Sequence, residues 1–395
     1  MRFKVTIGDF LKQVQKTLPA VAPKSTLPVL EHLHFTIADG TLKMVATDQD
    51  IVIQNTMQVF DSDDGGVLVP ARKLSEIIKA LDSQGEIEFS VDNETYDIVI
   101  SKGKGKYRLK GIDPDEFLDI PELFENENQY NLDDDGLIEG GTPTASFFKE
   151  DLIKLCEKTY YAVSTDSLRP AMLGVYFQFR ETYVNAVSTD SFRLAKSTIY
   201  SLSPVFPQDF NVIIPIKSVE FLKKVDADVK MTVIEMYGKI THLKFDFGTT
   251  TFITKIIDEK FPPYEAVIPL NNPIEVMIEK KLFYQTVKRV SLLSNSISKQ
   301  IKLLFEQNQV TITAEDEDSG TKGSDVIPCE LNQETFNVAY NHKYLEDALA
   351  TIDDDTLDNG MIKFTFLDST KPSLLLPTND KNEQLILIMP VRIPN

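Results

Sequence analysis

Carboxylates are the densest chemically capable groups in this 395-residue chain: Asp133, Asp134 and Asp135, then Glu315 through Asp318, then Asp353 through Asp355. Such acids act as ligands in two-metal nuclease chemistry. Their spacing argues against it here, because adjacent carboxylates in polar loops point to solvent, whereas a metal needs ligands converging from separated positions. The four histidines are scattered and form no Ser/His/Asp set. Cys156 and Cys329 lie in apolar surroundings without CxxC spacing, which reads as small core residues. The GKGK at 103–106 lacks the leading glycine spacing and the following Ser or Thr of a phosphate loop. No catalytic residue, metal or cofactor is expected.

Electrostatic binding is the chemistry that remains. A net charge of −19 speaks at first against a polyanionic partner, since phosphate contacts require Lys and Arg. Distribution reverses that reading. Helices expected at about 7–18, 71–81, 147–160, 216–225, 280–290 and 342–350 carry sixteen Lys and Arg, Lys158 among them, against eight Asp and Glu. A basic lining beneath an acidic outside suits a threaded polyanion. The plainer reading is that any solvated helix face is charged; recurrence of the bias in three places favours the first.

Something repeated must position these helices. A strand ending in a Thr/Ala-acid pair is followed some 22 to 25 residues later by an apolar run that breaks into a helix. The copies are Val45-Ala46-Thr47-Asp48 with VLVPARKLSEIIKAL, Val187-Ser188-Thr189-Asp190 with NVIIPIKSVEFLKKV, and Ile312-Thr313-Ala314-Glu315 with FNVAYNHKYLEDALA. Both landmarks shift by 125 residues between copies two and three, and by 142 and 145 between copies one and two. Each copy also opens on a strand feeding an amphipathic helix, with Phe10, Leu11 and Val14, then Phe148, Leu152 and Leu155, then Phe283, Val287 and Val290 on the apolar faces. Short alternating runs such as HLHFTI and TLKMVAT supply strands. Each repeat is thus an α+β unit, two helices packed on antiparallel sheet.

Length fits three such domains in a row. They are placed at 1–125, 146–269 and 270–395, with an acidic linker at 126–145: no Lys or Arg occurs from Gly111 to Phe148. No apolar run approaches the roughly 18 residues of a membrane span, and MRFKVTIGDF lacks a signal-peptide core, so a cytoplasmic location is expected.

Seven pieces in order carry a family resemblance: Lys24-Ser25-Thr26-Leu27-Pro28-Val29-Leu30, VLVPARK at 67–73, STDSFRLA at 188–195, FPPYEAVIP at 261–269, LLSN at 292–295, FNVAY at 336–340 and LILIMPVRI at 385–393. Over its whole length the chain resembles the bacterial DNA polymerase III beta subunits, the sliding clamps. The resemblance implies the DNA clamp fold, in which three similar domains form half of a closed ring. It implies a head-to-tail homodimer that encircles duplex DNA without reading sequence and tethers the replicative polymerase as a processivity factor, with no enzyme activity and no cofactor. A diverged paralogue, a protein-binding ring that is not loaded onto DNA, is the alternative that the negative charge motivates.

The same resemblance implies site residues. Lys24 is expected on DNA, with Lys149, Arg169 and Lys217 as further contacts; Arg72 and Lys73 belong either to DNA or to the dimer interface. Tyr107 is expected to meet Leu292 and Leu293 of the second copy. Short linear peptides of the polymerase and the clamp loader are expected in a groove of Met172, Thr189, Ser191, Phe192, Arg193, Leu194, Pro262, Val267, Asn337, Tyr340, Thr370, Pro372, Ile388, Met389, Pro390, Val391 and Arg392. Glu265-Ala266 stands where many members carry basic residues, Pro372 replaces a small polar one, and Leu118 stands where an EFP-type motif would put Pro.

Overall fold

The structure, a computed structural model, describes residues 1–118, 120, 131–132, 138–139, 144–200, 209–236, 239–332, 335–379 and 383–392. Six helices match the repeat: α1 (Ile7–Thr17), α2 (Ala71–Ala80), α3 (Lys149–Glu157), α4 (Ile216–Leu222), α5 (Lys280–Ser291) and α6 (His342–Ala350). Their faces follow the helical period, as α1 shows by burying Ile7, Phe10, Val14 and Thr17. The second helix of each repeat starts at an equivalent stop. Pro70 and Pro215 precede α2 and α4, while Asn341 caps α6 by accepting the Lys343 amide at 3.0 Å.

The Thr-Asp landmark is a tight turn. Thr47 donates its hydroxyl to the Ile51 carbonyl (2.8 Å) and accepts the Gln49 amide (3.0 Å), while Asp48 accepts the amides of Asp50 and Ile51. Thr189 and Asp190 repeat every one of these bonds, to Arg193, Ser191, Phe192 and Arg193. Gln49 and Ser191 both take positive φ, 78° and 77°. In the third repeat the strand Gln309–Asp316 runs past Ala314-Glu315, and the turn is built instead on Asp316, which accepts from Asp318 and Ser319.

The described chain divides into two compact units, Met1–Lys149 with Val225–Ile256, and Glu150–Lys224 with Ile257–Asn395. The first holds a five-stranded sheet with Gly105–Lys110 at one edge, and an eight-stranded sheet. Within the latter, Thr250–Lys255 pairs antiparallel with Ile51–Gln58, so strands from the first and middle repeats share one sheet. Buried Asn55 ties that seam, donating to Thr17 Oγ1 (2.7 Å) and accepting from Thr250 Oγ1 (2.5 Å). The second unit is a twelve-stranded antiparallel sheet whose corresponding seam pairs Arg193–Ile199 with Gln384–Ile388. Its main core runs from Ile274 and Val276 to Ile386 and Ile388. Both cysteines are buried and free. The acidic crossing lies mostly outside the described residues; Asn131–Leu132 pairs with Ile138–Glu139 within it.

Two expectations are corrected. The third helix begins at Lys149, because Thr144–Phe147 pairs as a strand with Val229–Met236. Strand alternation turns Phe147 inward and leaves Phe148, expected on the buried face, 67% exposed. Lys158, counted among the solvated cations, is 3% exposed and pairs with Asp353 at 2.8 Å while donating to Gln384 at 3.1 Å.

His34 packs against Phe117, their ring centroids 4.9 Å apart. Burial, with Lys43 adding to it against the opposing pull of Asp115, lowers the imidazole to about 4. A folded pKa below the unfolded value near 6.5 means the unfolded chain binds the proton first. This contribution is therefore full above pH 6.5 and falls away as pH drops toward 4, by about 3 kcal/mol. Denaturant melts at pH 7 and pH 4.5 should show a smaller acid destabilisation in His34→Gln than in the parent; equal losses would assign the acid sensitivity elsewhere.

Candidate functional site

Three surfaces hold the expected site residues. The first is the cationic set on the helices, and much of its charge is locked locally. Lys12 and Lys16 reach Asp226 at 3.9 and 2.7 Å, Lys73 pairs with Glu76 (2.9 Å), Lys154 with Glu383 (2.6 Å), Lys280 with Asp354 (2.6 Å) and Lys343 with Asp347 (2.9 Å). Arg289 holds Asp325. The helix lining is thus less positive than the residue count suggests. Lys24, Arg72 and Lys79 are exposed and hold no ion pair among the described residues. Lys217 is exposed on α4, and the Lys149 amide donates to Asp228 at 3.0 Å. Arg169 pairs with Asp166 at 3.2 Å and donates to Ser191 Oγ at 2.5 Å.

The acidic runs are engaged by neighbours. Lys322 pairs with Glu315, Asn295 donates to Asp316 and Asp318, and Lys158 and Lys280 take Asp353 and Asp354. Among the described residues no group of three or more His, Cys, Asp or Glu is placed to hold a metal ion. Asp133, Asp134 and Asp135 lie outside the described residues.

The second surface comes in two separate halves. Tyr107 is 38% exposed on the edge strand Gly105–Lys110, amid Lys104, Lys106 and Arg108. At the end of α5, Leu292 is 82% and Leu293 36% exposed. Leu293 is seated on Gly323 of the strand Thr321–Leu331, where a Cβ would collide with its Cδ1. That strand pairs with Gln309–Asp316 through residues 321–328 and exposes Val326. The first half is an edge strand; the second is the stretch 321–328, paired with Gln309–Asp316, while residues 329–331 of the same strand pair with Val276–Ile278.

The third is the groove. The Met389 amide donates to the Phe192 carbonyl and the Val391 amide to the Ala339 carbonyl, each at 2.8 Å, which brings the chain end between the Ser191 turn and the strand carrying Asn337 and Tyr340. Ser191 Oγ lies 3.6 Å from Met172 Sδ. Below Met389 a cluster of Leu194, Phe261, Tyr264, Leu374 and Leu387 forms the floor, with Phe261 stacked on Tyr176 at 4.6 Å and Val267 exposed beside it. Pro262 follows Phe261, and Pro372 and Thr370 lead into Ser373, which accepts from the Tyr340 hydroxyl (2.7 Å) and donates to the Ile388 carbonyl (3.0 Å). Pro390 and Arg392 continue the segment, Arg392 exposed. Thr189, Leu194, Tyr340 and Ile388 are buried, Leu194 in the cluster beneath Met389 and Tyr340 and Ile388 in the main core.

Arg193 joins this turn to α6. Its Nε pairs with Asp190 (3.0 Å) and its Nη1 with Asp347 (2.7 Å), and the guanidinium lies between the rings of Tyr161 and Tyr344, 5.3 and 4.7 Å from their centroids. Burial raises both phenol pKa values, so the rings stay neutral partners for the cation. Sequence reading missed these partners. Tyr344 and Asp347 stand three apart on α6, a signal of a shared face; Tyr161 had none.

Models of the DNA polymerase III beta subunit match the chain in order: its N-terminal domain at residues 1–121, its central domain at 147–263 and its C-terminal domain at 265–392. The chain is similar to the beta sliding clamp of Bacillus subtilis (strain 168), 26% identical over 99% of this chain and 100% of that one. The Staphylococcus aureus beta sliding clamp is 27% identical, covering 99% of each. Among solved structures, the DNA polymerase sliding clamp of Bacillus subtilis and the DnaN sliding clamp of Bartonella birtlesii bound to griselimycin each superpose with a TM-score of 0.86, at 26% identity over the whole of both chains.

Proposed function

The chain belongs to the DNA polymerase III beta subunit family, and from that premise we propose that it works as a DNA sliding clamp, a processivity factor that encircles duplex DNA and tethers the replicative polymerase. The observation that carries this is the end-to-end, in-order match of three clamp domains. Domains at 1–125, 146–269 and 270–395 then make half a ring, and a second copy closes it head to tail. Closure covers the edge strand at Tyr107 and the exposed apolar side chains Leu292, Leu293 and Val326, which would otherwise invite aggregation. The clamp has no catalytic site of its own and acts in the cytoplasm.

Lys24, Lys149 and Lys217 meet phosphates as flexible point charges, which hold a duplex without reading bases. The groove around Met172, Phe192, Arg193 and Met389 takes short linear peptides of the polymerase and of the clamp loader, its methionines adapting to successive partners. The locking of helix lysines in ion pairs favours a second reading, a protein-binding ring without DNA loading. Light scattering at micromolar concentration should give about twice the 44.6 kDa chain mass; a monomer would contradict either kind of ring.

A further inference from the structure

A lysine is set into the apolar floor of the groove. The strand Arg193–Ile199 pairs antiparallel with Val184–Thr189 on one side and with Gln384–Ile388 on the other, and within that ladder Lys196 stands opposite Val187 and Leu385. Directly opposed residues share a sheet face, as do residues two apart on one strand. Val187, Leu385 and Leu194, two residues before Lys196, all belong to the cluster beneath Met389. Lys196 therefore rises from that cluster, about 7 Å along the strand from Leu194. It is partly buried and makes no hydrogen bond or ion pair among the described residues. The polar groups further along the same face bond one another instead: Thr198 donates to Asn185 (2.7 Å), Asn185 to Gln178 (3.2 Å) and the Tyr264 hydroxyl to Gln178 (2.6 Å).

Burial pulls the Lys196 ammonium below its ordinary pKa, and Glu265, on the exposed turn Tyr264–Val267, opposes that pull without closing an ion pair. A peptide laid on the floor takes still more water from this cation. An uncharged residue there leaves it desolvated and unpaired, whereas a carboxylate replaces what the water supplied. Affinity thus separates acidic from neutral peptides through the penalty on the neutral ones. We propose that Lys196 is a specificity-determining residue, which selects partner peptides carrying an Asp or Glu side chain near the apolar residue that seats at Met389; the proposal rests on the peptide-binding reading of this groove. In an extended peptide, a separation of about 7 Å places that acid two positions from the apolar anchor.

The test uses the full-length protein and fluorescent, C-terminally amidated forms of a polymerase-derived peptide, read by anisotropy. Each form carries a single Glu or Gln at one position within three residues of the apolar anchor. At one of these positions the Glu form should bind about tenfold more tightly than its Gln counterpart. Lys196→Met should bring that ratio to about one, bind the Gln form at least as tightly as the parent does, and melt no lower, since it removes a partly desolvated charge from an apolar floor. If the parent binds the Gln forms and no position prefers Glu, the lysine keeps its head in water, and the proposal falls while the groove reading stands. A preference that survives in Lys196→Met belongs to another cation and overturns the proposal as well. A preference that appears only when the terminal amide is replaced by a free carboxylate would give Lys196 to a chain end and overturn the side-chain assignment. If no form binds the parent, the groove reading itself fails, and the proposal with it.

Discussion

Replacing Leu292 and Leu293 together with alanine should turn the dimer into folded monomers at micromolar concentration. Leu292 points almost wholly into solvent and Leu293 reaches past Gly323, so neither supports the core of its own chain. Each leucine buried against a second copy contributes about 2 kcal/mol. A head-to-tail ring of two chains contains the same interface twice, so both truncations count twice. The dimer dissociation constant should rise by at least about a thousandfold, allowing for imperfect burial. Sedimentation velocity checks the mass and circular dichroism the fold. An intact dimer in the double variant would move the interface away from α5.

Deleting Met389 and Pro390 should abolish binding of a polymerase-derived peptide, by at least about a hundredfold, while the dimer persists. Met389 sits on the apolar floor, and its amide bonds Phe192, so the deletion strips both the anchor pocket and the link that holds the Ser191 turn. Val391 would lose its bridge to Ala339 as well. None of these residues lies on the strand Gly105–Lys110 or at the end of α5. Calorimetric titration of the peptide gives the affinity, and unchanged binding would remove the chain end from the groove.

What could be read from the sequence was local chemistry. The Thr-Asp pair marked a strand end in two repeats, and the hydrogen bonds that turn the chain there close within five residues, at Thr47 to Ile51 and Thr189 to Arg193. Helix faces such as Phe10 and Val14 were legible from period alone. Long-range register was not. The seams that pair Thr250–Lys255 with Ile51–Gln58 and Arg193–Ile199 with Gln384–Ile388 join residues about two hundred positions apart, and no local pattern encodes them. For the same reason Phe148 was placed inside and Lys158 outside: each depends on a partner strand or acid far along the chain. Burial of Leu194 and Tyr340 was not legible either, since it follows from strand pairing with residues far along the chain.

A closed ring stays on DNA because it surrounds it, whatever the strength of its phosphate contacts. Loading the protein with a clamp loader and ATP onto nicked circular plasmid, then passing the mixture over a sizing column, tests this directly. The protein should travel with the circle, resist a salt concentration that disrupts phosphate contacts, and be released when a single cut linearises the plasmid. Retention that vanishes with salt on the circle, or that survives linearisation unchanged, would contradict it.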